Sequence, residues 1–426
     1  MSRNVFLSFL GTGNYTECVY ESNDGRKSRC VQFVQSAMLE LFGSGWTKQD
    51  KRFIFTTEES KKKHWTKLQE ESPCAEQIDI PAGKDETEIW RIFNILYESL
   101  QDGDILTVDI THSFRHIPLL ASSLLQYAKF LKNVSVKGIY YGAFERLGDP
   151  RDIKQRIPNP EERIAPVFDL TAFSEIQDWS AAANDFISFG NPSRLKVLIE
   201  QHLSPVISQT GGHDEIVQKL NKLNKKIEKF SQVIKTNRGK DIIEGRLQKE
   251  ILNILNSLEQ NLISALNPIL KKMEISVKKT YQGDNNVRNM LAAVEWCQEK
   301  NLVQEGLTIL QEGIISCLLP EQCYRDRNKR QFVSSYLQYY DVEKQIESKL
   351  SVEEQIDLKE HLQQQHGFQE LAGTNGIFRN IADIRNDINH SGMGDSARSS
   401  DKFQTLLLKY FEEIKKIFVL SDNSLY

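Results

Sequence analysis

No stretch of the 426-residue chain approaches the roughly 18 consecutive apolar residues that a membrane span requires. The opening MSRNVFLSFLGTG carries one apolar run, VFLSFL, followed by no small-residue cleavage site. That run is shorter than a secretory core and is expected to be a buried first strand. Paired cysteines are also missing. Cys18, Cys30, Cys74, Cys297, Cys317 and Cys323 are scattered, with no CxxC and no histidine at zinc-ligand spacing. This excludes the common zinc modules and points to reduced thiols in a soluble, cytoplasmic protein with no metal site and no membrane partner. Positive charge is not in excess either: the formal net charge is −4, so any groove for nucleic acid has to be local. Neither a helix-turn-helix pattern nor a basic recognition helix is present.

What is present divides the chain in two. Apolar residues make up 39% and charged residues 26%, a balance that suits a globular protein rich in surface helices. VFLSFL (5–10), RFIFTT (52–57), DILTVDI (104–110) and VKGIYYGAF (136–144) read as buried strands. Amphipathic stretches lie between them: Val31 to Phe42, Glu86 to Leu100 and Pro118 to Leu131. This alternation predicts a Rossmann-like α/β domain, a parallel sheet with helices on both faces. Its ligands belong at the carboxyl ends of the strands, near the topological switch point. Segment 149–167 is polar and proline-bearing and reads as a loop or excursion, and FDL (168–170) as a further strand that runs into a helix.

Beyond it the pattern is all-helical. Leu220, Leu223, Ile227, Phe230 and Ile234 space a long helix that packs on a partner. Ile242 to Met273 is expected to return as the second arm of an antiparallel hairpin. Helices are expected through 287–318, a polar, Gln-rich segment over 330–364, and a last helix over Asp401 to Leu420. The domain boundaries follow as 1–180, a helical connector over 181–300, and a C-terminal helical domain over 301–426.

Two stretches carry ligand-binding chemistry in the first domain. GTGNY places Gly11, Thr12, Gly13 and Asn14 directly after the first strand, where glycines let a ligand approach the backbone and the Thr and Asn side chains hydrogen-bond it. It is not the GxGxxG fingerprint, since no third glycine follows. THSFRHIP follows the strand ILTVDI, with a proline that opens a helix. Free N–H groups there, beside Thr111, Ser113 and Arg115, form an anion site, and His112 can stack on or hydrogen-bond a base.

GTGNY, VDITHSFRHIP, YYGAFE (140–145) and FDLTAFSEIQDW (168–179), in that order over about 180 residues, resemble the CRISPR-associated Rossmann fold (CARF) domains of type III CRISPR ancillary proteins. The resemblance implies a domain that dimerises and binds a cyclic oligoadenylate, expected to be cyclic tetra-adenylate with cyclic hexa-adenylate as the alternative, across a two-fold axis as an allosteric activator. It assigns the contacts to Gly11, Thr12, Gly13, Asn14, Thr111, His112, Ser113, Phe114, Arg115 and Tyr141. It also allows slow cleavage of the activator in the same domain.

Near the C-terminus, IRNDINHSG places Arg385 and Asn386 shortly before His390. On a helix Asn386 and His390 share a face, while Arg385 lies about 140° round from His390. A two-fold dimer would set two such motifs against each other. Arginines grip a scissile phosphate and offset its growing charge, and a histidine titrating near neutrality moves a proton. RNA supplies its own nucleophile, the 2′-OH, so this chemistry calls for no metal cofactor.

The stretch resembles the Arg-x4–6-His motif of the HEPN ribonucleases. That resemblance implies a metal-independent endoribonuclease with Arg385, Asn386 and His390 as catalytic residues and single-stranded RNA as substrate. The expectation is therefore an antiviral, cyclic-oligoadenylate-activated RNA endonuclease, a homodimer or higher oligomer. The alternative is a cyclic-nucleotide-binding regulator whose helical domain binds a partner or DNA without cleaving RNA.

Overall fold

The computed structural model describes residues 2–112, 117–210, 214–258, 266–283, 286–342, 346–394 and 397–420. The chain forms two compact units, Met1–Gln177 and Asp178–Tyr426, and the boundary falls within the helix Thr171–Phe189. Among the described residues no helix is long and apolar enough to cross a membrane.

The first unit is built on a seven-stranded sheet, ordered β2-β7-β6-β5-β1-β3-β4. Its strands are β1 (Asn4–Leu10), β2 (Val19–Glu21), β3 (Lys51–Thr56), β4 (Glu76–Asp79), β5 (Ile105–Asp109), β6 (Ser135–Gly142) and β7 (Ile164–Asp169). In β1, Val5, Leu7 and Phe9 point to one core, with Leu106 and Val108 of β5, under the helices Glu86–Ser99 and Ile117–Lys132. Phe6 and Leu10 point to the other, under the helix Val34–Phe42. Successive side chains of a strand point to opposite faces, so a near-continuous apolar strand requires cover on both. Fully burying one such Leu or Phe contributes about 1.5–3 kcal/mol. The α/β N-terminal region and the all-helical remainder match the fold class expected from the pattern.

Four details differ from the expectation. The sheet is mixed, because β7 runs antiparallel to β6 while the other pairings are parallel. Segment 149–167 is not a loop: it holds the helix Pro150–Arg156 and the first residues of β7, whose buried Ala165 and Val167 flank Pro166. β2 and β4 carried no readable apolar pattern, being three and four residues long, the latter the polar EQID at an edge. Finally, the second arm of the predicted hairpin is broken into Gly239–Glu244, Arg246–Leu258 and Asn267–Lys278, with 259–265 outside the described residues. Its first break is at Gly245, left-handed at φ 65, where a Cβ would meet the Tyr281 ring at 2.7 Å.

In the second unit, the helix Glu215–Lys235 buries Leu220, Leu223, Ile227, Phe230 and Ile234, the residues of the spacing argument. Asn286–Glu299 and Val303–Leu318 follow, then Arg327–Tyr339 and Val352–Gln363 within the Gln-rich stretch. The helices Ile377–Asn389 and Phe403–Leu420 close the unit.

Candidate functional site

β1 lies between β3 and β5. After β1 the chain visits β2 at the far edge, then builds β3 and β4 on one side of β1 and returns to β5 on the other, so the switch point falls between the carboxyl ends of β1 and β5. Both predicted loops end there. A Cβ on Gly11 would stand 3.3 Å from the Cβ of His112, so glycine is what lets the two loops close on each other. Gly13 has open space around it. The Gly11 N–H donates to the Tyr15 hydroxyl at 2.9 Å, and the Tyr15 ring meets His112 edge-on at 4.5 Å.

A buried carboxylate organises the second loop. Asp109 Oδ2 accepts from the Ser8 hydroxyl at 2.6 Å, and Oδ1 accepts from the Thr111 N–H at 3.0 Å and its hydroxyl at 2.5 Å. Burial raises the Asp109 carboxyl above its ordinary value, against the opposing pull of those bonds. The Thr111 hydroxyl also accepts from the Gly142 N–H at 2.8 Å. Thr111 is thus engaged as donor and acceptor and retains one lone pair for a ligand. Ser113, Phe114 and Arg115 lie outside the described residues. Tyr141 is not drawn into this cluster. Tyr140 stacks on Phe42 in the core under Val34–Phe42, so the next residue of β6 points to the opposite face, and Tyr141 donates to Glu145 at 3.0 Å.

A third element completes the rim, and sequence reasoning missed it. After β3 the chain makes a π-helical turn over Lys61–Trp65, KKKHW, a form enriched at functional sites. His64 Nε2 donates to the Gly13 carbonyl at 2.8 Å, and its ring meets Tyr15 edge-on at 4.9 Å. Lys63 Nζ donates to the Thr12 carbonyl at 2.7 Å and lies 3.3 Å from Asn14 Oδ1. Burial, with a smaller push from His64, takes the His112 imidazole down to about 4, and burial also lowers His64. The signal available in the sequence was three consecutive lysines and a histidine just past a strand.

The second predicted cluster is built differently. The helix Ile377–Asn389 buries Phe378, Ile381, Ala382 and Ile384. Arg385, next to that stripe, is half-buried. Its Nη1 lies 3.9 Å from Glu312 Oε1 on the helix Val303–Leu318, and its buried Nε has no hydrogen-bond partner. Glu312 Oε2 accepts from Arg330 Nη2 at 2.7 Å, so one carboxylate stands between two guanidinium groups.

His390 caps the same helix and is exposed. The Ser391 N–H donates to Ile388 O and the Gly392 N–H to Asp387 O, both at 3.0 Å, with Ser391 and Gly392 left-handed at φ 58 and φ 62. This is a Schellman ending, and it accounts for the Ser391–Gly392 pair that follows the motif. Asp387 accepts from the backbone N–H of Arg398 at 2.9 Å and pairs with its guanidinium at 3.3 Å. Asp387, Ser391 and Arg398 line a cavity of about 580 Å³ beside the helix end. Asn386 is exposed. Among the described residues no hydrogen bond joins Arg385 to His390. The chain thus carries an arginine facing Glu312 and, apart from it, an exposed histidine.

Residues 175–285 match the family model described as CRISPR-associated protein MJ1674, second domain. The chain is also 34% identical over 152 residues to the CRISPR-associated protein MJ1674 of Methanocaldococcus jannaschii, a match covering 35% of this chain and 20% of that protein. The chain is therefore similar to a CRISPR-associated protein, and the match spans about a fifth of that relative's length. The family match contains neither the switch-point cluster nor the Arg385–His390 helix.

Proposed function

We propose that the chain acts in CRISPR defence as an endoribonuclease switched on by a cyclic oligoadenylate. The observation that supports this above the others is the convergence of Gly11–Asn14, His112 and the Lys63–His64 turn at the β1/β5 switch point. That place takes nucleotides in sheets of this kind. The similarity to a CRISPR-associated protein supplies the biological setting.

In this reading two copies place their Ile377–Asn389 helices together, and the catalytic groups are Arg385, Asn386 and His390. Arg385 is turned from Glu312 to the scissile phosphate, where its unpartnered Nε and the terminal nitrogens donate to the non-bridging oxygens. The 2′-OH attacks phosphorus and the P–O5′ bond breaks. One strand keeps a 2′,3′-cyclic phosphate and the other leaves with a 5′-OH. His390, exposed at the helix end, moves the proton from the attacking hydroxyl or to the leaving oxygen. The activator raises activity by as much as it prefers the assembled state over the open one.

The test is incubation of the purified chain with labelled single-stranded RNA in EDTA, with cyclic tetra-adenylate, cyclic hexa-adenylate or neither. Cleavage with one ring that disappears in His390→Ala supports both halves of the reading. Ring binding with no cleavage reduces the protein to a nucleotide-binding regulator, and the absence of both removes the proposal.

A further inference from the structure

A cyclic oligoadenylate carries one negative charge per phosphate, yet the described switch-point cluster has little positive charge to meet it. Burial disfavours the charged form of both His112 and His64. The π-helical turn supplies three consecutive lysines, and they are not equivalent. Lys61 Nζ lies 3.0 Å from Asp79 Oδ2, and Lys62 Nζ lies 2.6 Å from Glu58 Oε1, so a carboxylate offsets each charge. Lys63 has no carboxylate partner among the described residues. Its ammonium rests on neutral oxygens of the ligand loop, the Thr12 carbonyl and the Asn14 side chain. The loop between those two contacts is Gly13, which has open space around it.

We propose that Lys63 is a phosphate-binding residue of this site. An ammonium that exchanges carbonyl dipoles for a phosphate oxygen gains a charge-assisted hydrogen bond, while the flexible stem lets it move without disturbing the sheet. His64, the next residue, keeps its hold on the Gly13 carbonyl during that exchange, so the loop stays in place when Lys63 lets go. The inference rests on the reading of the switch point as a nucleotide site and adds to it a residue that neither loop motif contains.

The experiment is titration of the full chain with cyclic tetra-adenylate and with cyclic hexa-adenylate, at low and high salt, for wild type, Lys63→Gln, Lys63→Ala and Lys62→Gln. Lys63→Gln keeps a hydrogen-bond donor, one bond shorter, and removes the charge. Both Lys63 variants are expected to bind about tenfold or more weakly, with a shallower salt dependence. Lys62→Gln, whose charge Glu58 already offsets, is expected to stay within about twofold of wild type. RNA cleavage by Lys63→Gln at saturating ring is expected to return to the wild-type level. Wild-type affinity in Lys63→Gln would mean that the lysine only holds the loop, and would overturn this inference alone. Failure of the wild-type chain to bind either ring would overturn the nucleotide reading of the site, and this inference with it.

Discussion

The two clusters differ in how much of each is finished within one copy of the chain. At the switch point, side chains hold one another: Asp109 fixes Thr111, His64 fixes Gly13, and Tyr15 packs between two imidazoles. At the end of the helix Ile377–Asn389, Arg385 is held by Glu312 while His390 stands free and does not meet it. A network of mutual hydrogen bonds fixes the placement of its groups, whereas an exposed helix end keeps its groups available. The first arrangement suits recognition of a ligand and the second suits chemistry completed from outside the protomer.

The largest effect that would test this contrast comes from the exposed cluster. His390→Ala or Arg385→Ala is expected to lower RNA cleavage by about 10²–10⁴-fold. Ring binding should stay at wild-type values, and so should the thermal stability of His390→Ala, whose side chain is exposed. A large loss of stability in His390→Ala would break the contrast.

The switch-point network should respond in the opposite way. Gly11→Val forces a side chain between His112 and Tyr15, and is expected to cost about 1–3 kcal/mol of stability together with ring affinity. Gly13→Ala meets open space, and is expected to leave stability within about 0.5 kcal/mol of wild type. Chemical denaturation of the two variants reads the difference directly.

Acid sharpens the same point. With His112 pushed down to about 4 in the folded chain, the unfolded chain takes up that proton at higher pH. The stability contributed by neutral His112 is therefore fully present above its ordinary value near 6.5 and is lost as the pH falls towards 4. The expected loss is about 1–3 kcal/mol, read from denaturation midpoints across that window and diminished in His112→Gln. An equal pH slope in His112→Gln would place the cause elsewhere. A small effect is also expected of Asp387→Ala, which removes a partly exposed ion pair with Arg398 and should cost less than about 1 kcal/mol.

Much of this was legible in advance, for reasons that particular residues make plain. Val5, Leu7 and Phe9 facing one core and Phe6 and Leu10 the other is what a doubly covered strand has to look like, so β1 was readable. The helix carrying Leu220 to Ile234 was readable because its period matches one buried stripe. β4 was not, because an edge strand such as EQID is paired on one side only and needs no apolar alternation. The antiparallel placing of β7 was hidden for a related reason: local pattern specifies a strand but not its direction.

The candidate residues divide in the same manner. Gly11–Asn14 and Thr111–His112 stood out as candidates because polar and glycine residues follow apolar strands there, and chain order carries that information. Lys63 and His64 reach the site from β3, about 50 residues from the loop they hold, and are brought to it only because β3 pairs with β1. Likewise the spacing of Arg385 and His390 was visible, while the partner that holds the arginine, Glu312, arrives from another helix. Local propensity and period decide which segments become strands and helices, because those depend on neighbours in the chain. Which charges are offset, and which are left free for a ligand, depends on neighbours in space, and only the packing of the tertiary structure decided that.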